Sequence, residues 1–220
     1  MTTATQRAES RADPHAYRLI LRFTLLNIVA VALLLACEAN GLVSRAIDAD
    51  STSFVFVIVV VFLVGLALAL QRVVWTSREL NQARQAEPDQ GSRAAAHVKR
   101  TAGKDADSRQ TLAQALRLEL SQNITIIRHL ASSLVFLGLI GTVLGFIIAL
   151  SGVDPDLASE TENIGPMVSA LIAGMSTALV TTLVGGLLNI WLMANYQLLT
   201  TGTVRLINTI VELGESRAGS

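Results

Sequence analysis

The residues of this chain best placed to do chemistry are hydroxyls set at helical intervals. Ser169, Ala173, Thr177, Thr181, Gly185 and Asn189 follow one another four residues apart, and Gly174, Ala178, Thr182 and Gly186 form a second row beside them. Positions four apart share one face of a helix, so the two rows make a broad, small, partly hydroxylated strip. Leu171, Ile172, Leu179, Leu183, Leu187 and Ile190 fall on the opposite side. Upstream, Gly138, Gly141 and Gly145 stand at spacings of three and four with Thr142 among them, and the Gly141–Gly145 spacing lets two helix backbones approach closely. Hydroxyls of this kind can bond to carboxyl groups, ions or water, or close on the carbonyl one turn back. The strip is expected to face protein or water, because facing lipid would waste its packing surface.

What is missing narrows the chemistry further. Between Leu130 and Ala194 no Asp, Glu, Lys or Arg occurs outside the loop joining the two apolar runs. A proton or cation path through hydrocarbon needs an ionisable or strongly polar lining, so any carboxylate on such a path must come from another protein. Catalysis is not expected: there are no paired carboxylates, and Ser132, Ser133 and His129 have no orienting acid nearby in sequence. No phosphate-binding loop, metal-ligand cluster or cofactor motif is present. The basic residues lack aromatic interleaving, which argues against nucleic acid. Cys37 is the single cysteine and forms no intrachain disulfide. Glu38 and His129, at opposite ends of apolar runs, read as interfacial side chains.

The elements that must position the strip are membrane spans. Of 220 residues, 51% are hydrophobic and 15% charged, where a soluble domain carries about 25% charge, and the mean hydropathy is +0.52. Four apolar runs are long enough to cross: about Leu19 to Ala36, Phe54 to Trp75, Leu130 to Leu150 and Pro166 to Ala194. The second is rich in β-branched residues, but in a bilayer its length and the need to satisfy every backbone group decide for helix. The first is read as a retained anchor, with Arg22 snorkelling to the headgroups. Trp191 and Tyr196 read as interfacial anchors of the fourth.

Charge orients these spans. Arg7, Arg11, Arg18 and Arg22 precede or open the first, and ten basic residues lie from Arg72 to Arg128, whereas the loop between spans three and four holds only acids, among them Asp154, Asp156, Glu160 and Glu162. The positive-inside rule then places both termini in the cytoplasm. The inner segment from Glu79 to Asp107, broken at Pro88 and Gly91, is expected to be partly flexible. From Ser108, Leu112, Leu116, Leu120, Ile124 and Ile127 recur at helical spacing, with Ser108 or Asp107 as the cap, so one long helix rises into span three. Leu198 to Leu213 continues span four downwards, loosened at Gly202, and the two arms are expected to pack in the cytoplasm as antiparallel neighbours. The predicted fold is thus an all-α integral membrane protein of four transmembrane helices, N-in/C-in, with spans three and four extended into the cytoplasm. It divides into a tail (1–18), a peripheral two-helix hairpin (19–75), a basic loop and amphipathic helix (76–123), a helix pair (124–196) and a C-terminal helix and tail (197–220).

Two stretches of that pair carry a resemblance. Gly138-Leu-Ile-Gly-Thr-Val-Leu-Gly145 is similar to the GLxGTVxG pattern, and Gly174-Met-Ser-Thr-Ala-Leu-Val-Thr-Thr-Leu-Val-Gly185 to the GxxxALxxTxxG pattern, of the MotA/TolQ/ExbB proton-channel family. The resemblance covers about Leu130 to Tyr196. It implies that Thr142, Thr182, Thr181 and Thr177 line a pore, and that Gly138, Gly141, Gly145, Gly174, Ala178 and Gly185 pack helices. It implies a homopentamer in a bacterial inner membrane, closed around two copies of a single-span protein. That partner brings a transmembrane aspartate and a periplasmic domain, and ion flow, of protons or sodium, drives mechanical work. Thr177 stands where TolQ- and ExbB-like members commonly carry a glutamate, and no proline follows near Trp191. The competing expectation is a structural scaffold whose glycine and threonine rows only pack helices.

Overall fold

The computed structural model describes residues 18–50, 52–83, 93–153 and 161–218. They form six helices and no strand: α1 (Arg18–Ala39), α2 (Leu42–Ala49), α3 (Phe54–Ala83), α4 (Arg93–Thr101), α5 (Ala106–Ser151) and α6 (Thr161–Ala218). Four of these, α1, α3, α5 and α6, are long and apolar enough to cross a membrane, in agreement with the four expected spans. At 1.5 Å per residue, the 46 residues of α5 and the 58 of α6 run about 69 and 87 Å. Each is far longer than a bilayer requires, so both project beyond it as arms. The breakers Pro88 and Gly91 lie outside the described residues.

Local chemistry sets the helix starts. The chain leaves α4 through Gly103 at φ 71, a left-handed conformation that suits glycine, and Asp105 beyond it is extended. Its carboxylate accepts from Ser108 N at 3.4 Å, as an N-cap does. The cap is therefore Asp105, not Ser108 or Asp107 as expected, because the turn places that carboxylate over the third amide of the helix. Hydrogen bonds from Ser108 also hold the Asp105 carboxyl below the usual carboxylate range. At the opposite end of the molecule, Gly41 at φ 66 turns the chain from α1 into α2. Glu38 then accepts from Ser44 N at 3.1 Å, so it fixes the start of α2 as well as meeting solvent. Asp50 similarly starts α3, accepting from Val55 N at 2.8 Å and from the Thr52 hydroxyl at 2.6 Å.

Packing is built on α6, which touches α5, α3, α4, α1 and α2. One core cluster joins Phe23 of α1, Ile58, Phe62 and Val73 of α3, Ile127 and Leu134 of α5, and Leu192 and Leu199 of α6. A second, towards the arms, joins Leu80, Leu120, Leu206, Ile207 and Ile210. The amphipathic pattern from Leu112 therefore pairs with that of the C-terminal arm, and α3 continues past Trp75 to join them through Leu80. Segment 93–101, expected to be partly flexible, is helical. Arg93 ties it down by pairing with Glu119 at 2.7 Å and lying 5.0 Å from the Trp75 ring centroid. Gly202 does not loosen α6, which runs unbroken through it. A side chain there would come within 2.6 Å of Leu19, so the glycine is a seat for the start of α1.

Candidate functional site

The small-residue strips of α5 and α6 meet each other backbone to backbone. A Cβ added to Gly145 would stand 2.6 Å from both Ala178 N and Gly174 O, and one added to Gly174 would stand 2.5 Å from Gly145 O. Gly138 and Gly185 oppose one another in the same way, a Cβ on Gly185 lying 2.6 Å from Leu134 O. Gly141 accommodates the Thr181 side chain, which a methyl group would overlap. Such approaches leave no room for substitution, and they let dispersion and close polar contact act over several turns. All six predicted packing residues, Gly138, Gly141, Gly145, Gly174, Ala178 and Gly185, are buried on this seam.

The four threonines divide into two pairs. Thr177 and Thr181 are 0% exposed. Thr181 donates to Thr177 O at 2.9 Å and Ala178 O at 3.1 Å; Thr177 donates to Ala173 O at 3.2 Å and, across the molecule, to Ala49 O at 3.0 Å. Both hydroxyls lie inside the single chain. Thr182 and Thr142 lie at its surface, exposed and half-buried respectively. Thr182 donates to Gly138 O on the facing helix at 3.1 Å, and Thr142 to Leu139 O in its own turn. The strip read as one face is therefore two: Thr177 and Thr181 turn towards α5 and the α2–α3 connection, while Thr142 and Thr182 flank the seam from outside. No charged side chain joins them on residues 130–153 or 164–204. His129 is exposed, and its carbonyl accepts from the Ser133 hydroxyl at 2.9 Å. Among the described residues no group of three or more metal-ligating side chains gathers.

A polar cluster that the sequence analysis did not single out lies nearby. Asn27 of α1 donates to Asn195 Oδ1 at 2.8 Å and to Phe23 O at 2.8 Å. Its own carbonyl accepts from Trp191 Nε1 at 2.9 Å, and Asn195, 0% exposed, donates to Trp191 O at 2.9 Å. Trp191 also packs on Phe62, with ring centroids 4.9 Å apart. Its indole N–H thus turns to a half-buried amide of α1. The signal was present: an amide inside an apolar span seeks a partner, and Asn27 and Asn195 are two such amides.

Comparison with known proteins adds one positive finding. The model of the MotA/TolQ/ExbB proton channel family matches residues 82–212, a stretch that contains α4, α5 and most of α6 and, of the α1–α3 region, only the last two residues of α3. No curated protein and no solved structure matches the chain.

Proposed function

Because the chain belongs to the MotA/TolQ/ExbB proton channel family, a family of channels in energy-transducing complexes rather than of enzymes, we propose that it is the multi-copy subunit of an ion-driven motor, with Thr142 and Thr182 lining the ion path. The observation that carries this reading is the division of the threonines. Thr142 and Thr182 are the two that reach the surface of the α5–α6 pair, and each spends its proton on a backbone carbonyl. A hydroxyl that donates in this way keeps its oxygen lone pairs as acceptors. Acceptors suit a protonated carboxyl group or a cation, and they are a poor match for an anion. Thr181 and Thr177 stand one layer behind, where they hold the backbone that presents the outer pair.

The carboxyl group itself comes from elsewhere, since neither helix supplies one in this region. The reading therefore includes a single-span partner, in two copies, carrying a transmembrane aspartate and a periplasmic domain. The present chain forms the ring around it, a homopentamer in a bacterial inner membrane. The end bearing α4 and the tail of α6 is assigned to the cytoplasm by the basic residues gathered there, and the end bearing α2 to the periplasm. Ion passage, protonic by this account, would alternately charge and neutralise the aspartate and turn one set of subunits against the other.

The test is the double variant Thr142→Val and Thr182→Val, isosteric changes that remove the acceptors and keep the volume. Ion flux through the assembled complex should fall by roughly tenfold or more, the effect of about 1.4 kcal/mol on a barrier, while Thr182→Ser retains flux. Unchanged flux in the double valine variant, together with loss of assembly in Gly141→Leu, would assign the rows to packing alone and the chain to a scaffold.

A further inference from the structure

Asparagines on the apolar spans meet two different fates. Asn27 and Asn195 bond to each other, and each donates to the carbonyl four residues back, Phe23 O at 2.8 Å and Trp191 O at 2.9 Å. Asn189, on the same span as Asn195, is half-buried and meets no hydrogen-bonding partner among the described residues. The threonines on either side of it are all engaged: Thr181 and Thr182 donate to carbonyls on one side, Thr200 and Thr201 on the other. An amide in hydrocarbon without a partner is strongly disfavoured. Something outside the chain therefore completes Asn189.

Its place on the helix says where that partner comes from. Asn189 ends the row that passes through Thr177, Thr181 and Gly185, yet it does not share the burial of those residues. At 3.6 residues per turn, each step of four overshoots a full circle by about 40°, so the row winds round α6. By Asn189 it has reached the face of the exposed Thr182, seven positions and nearly two turns away. Gly186 lies between them on that face, half-buried, and a Cβ added there would meet nothing within 4 Å. A Cβ on its neighbour Gly185 would strike Leu134 O at 2.6 Å. This face of α6 thus runs from a surface hydroxyl, across an open notch, to an unpaired amide about 10 Å nearer the end that carries α4. Leu183, Leu187 and Ile190, the exposed apolar residues of this stretch, lie on the other side of the helix.

We propose that Asn189 is an inner station of the ion path, holding water, and the ion that water carries, between the level of Thr182 and the cytoplasm. A neutral amide suits that task. It offers two N–H donors and a carbonyl acceptor, so it can hold a water in either orientation, and it carries no charge that would trap a passing cation. Thr142 and Thr182, whose protons are spent on backbone carbonyls, offer acceptors only. A path through hydrocarbon needs polar lining at more than one depth, and Asn189 supplies the second depth on the same face. A packing role would look like that of Asn27 and Asn195, whose amides close on each other. The proposal rests on the pore reading above and adds to it a residue and a direction.

The test uses the full complex with its partner in sealed membrane vesicles, in a Cys37→Ser background, with single cysteines at Asn189→Cys and, on the other side of the helix, Leu187→Cys. A thiol attacks a charged, water-borne thiosulfonate as the thiolate, a form that hydrocarbon suppresses. Asn189→Cys should react several-fold faster than Leu187→Cys, and faster from the cytoplasmic face than from the opposite one, and the cationic adduct should block ion flux. Asn189→Leu, which keeps the volume and removes both halves of the amide, should lower flux several-fold, and Asn189→Ser should recover part of it. Labelling no faster than at Leu187→Cys, faster labelling from the opposite face, or full flux in Asn189→Leu overturns the proposal. Should Asn189→Leu fail to assemble, the labelling decides alone. Loss of flux in the double valine variant of Thr142 and Thr182 beside full flux in Asn189→Leu would remove the inner station and leave the pore reading standing. Unchanged flux in both would remove both.

Discussion

Two of the contacts that α6 makes, its seam with α5 and its seat for α1, work by different means. Along α5 the helices touch through glycine, alanine and threonine, with Gly145 set against Gly174 and Gly138 against Gly185. Nothing in that seam ionises, and its strength is spread over many small contacts. The seat for α1 is concentrated instead. Apart from Phe23 and its neighbours, α1 is mostly exposed apolar surface, and the trio of Asn27, Trp191 and Asn195 gives it a specific register. A lipid-facing helix gains little from apolar contact with a neighbour, because lipid tails solvate it equally well. Polar bonds must then select its position. The seam, where close approach is itself the attraction, needs no such device.

That contrast can be broken at its strongest point first. Gly174→Leu places a branched side chain against the backbone of Gly145 and Ala149, and should cost about 3 kcal/mol. Reversible unfolding in detergent, followed by circular dichroism, would show it; a change within error would mean that the seam is looser than its geometry. Next, Asn195→Ala or Asn27→Ala should each cost about 1–2 kcal/mol by leaving an amide or the indole N–H unpaired. The double variant should cost less than the sum, and strict additivity in that cycle would dissolve the trio as a unit.

Smaller effects lie on the arms, in water. Arg93→Ala removes the pair with Glu119 and the contact with Trp75, both partly exposed, and should cost less than about 1 kcal/mol, shrinking further in high salt. Hydrogen exchange confined to α4 would locate it. Last comes the cap of α5. Since its bonds to Ser108 hold the Asp105 carboxyl below its unfolded value, the contribution is present above the ordinary carboxylate pKa and is lost as pH falls through the lowered one. Protection factors of the first-turn amides of α5, corrected for the intrinsic pH dependence of exchange, should fall at acid pH in the natural chain, and Asp105→Ala should remove that fall. An identical acid profile in both would show that the cap has no linkage.

Much of this was legible without coordinates. Span number followed from length, and the packing role of Gly141 and Gly145 followed from a spacing whose meaning is local to one helix. Asp105 was missed because a cap depends on where the preceding turn ends, which Gly103 determines. The bond from Trp191 to Asn27 was not foreseen because the two residues are 164 positions apart. Helix α2 was not anticipated, being eight residues in a loop, held by Glu38 and the Gly41 turn.

Residue order alone yields four segments long and apolar enough to cross a membrane, small hydroxylated faces on two of them, and the lack of an acid among those hydroxyls. Each is a property of one segment and its solvent. Packing between helices is what turns Thr177 and Thr181 inward, leaves Thr142 and Thr182 at the surface, and seats the start of α1 at Gly202. Neighbouring rows on one helix differ by a single step of rotation, and which row is buried depends on where another helix crosses, a choice settled by contacts between residues far apart in the chain.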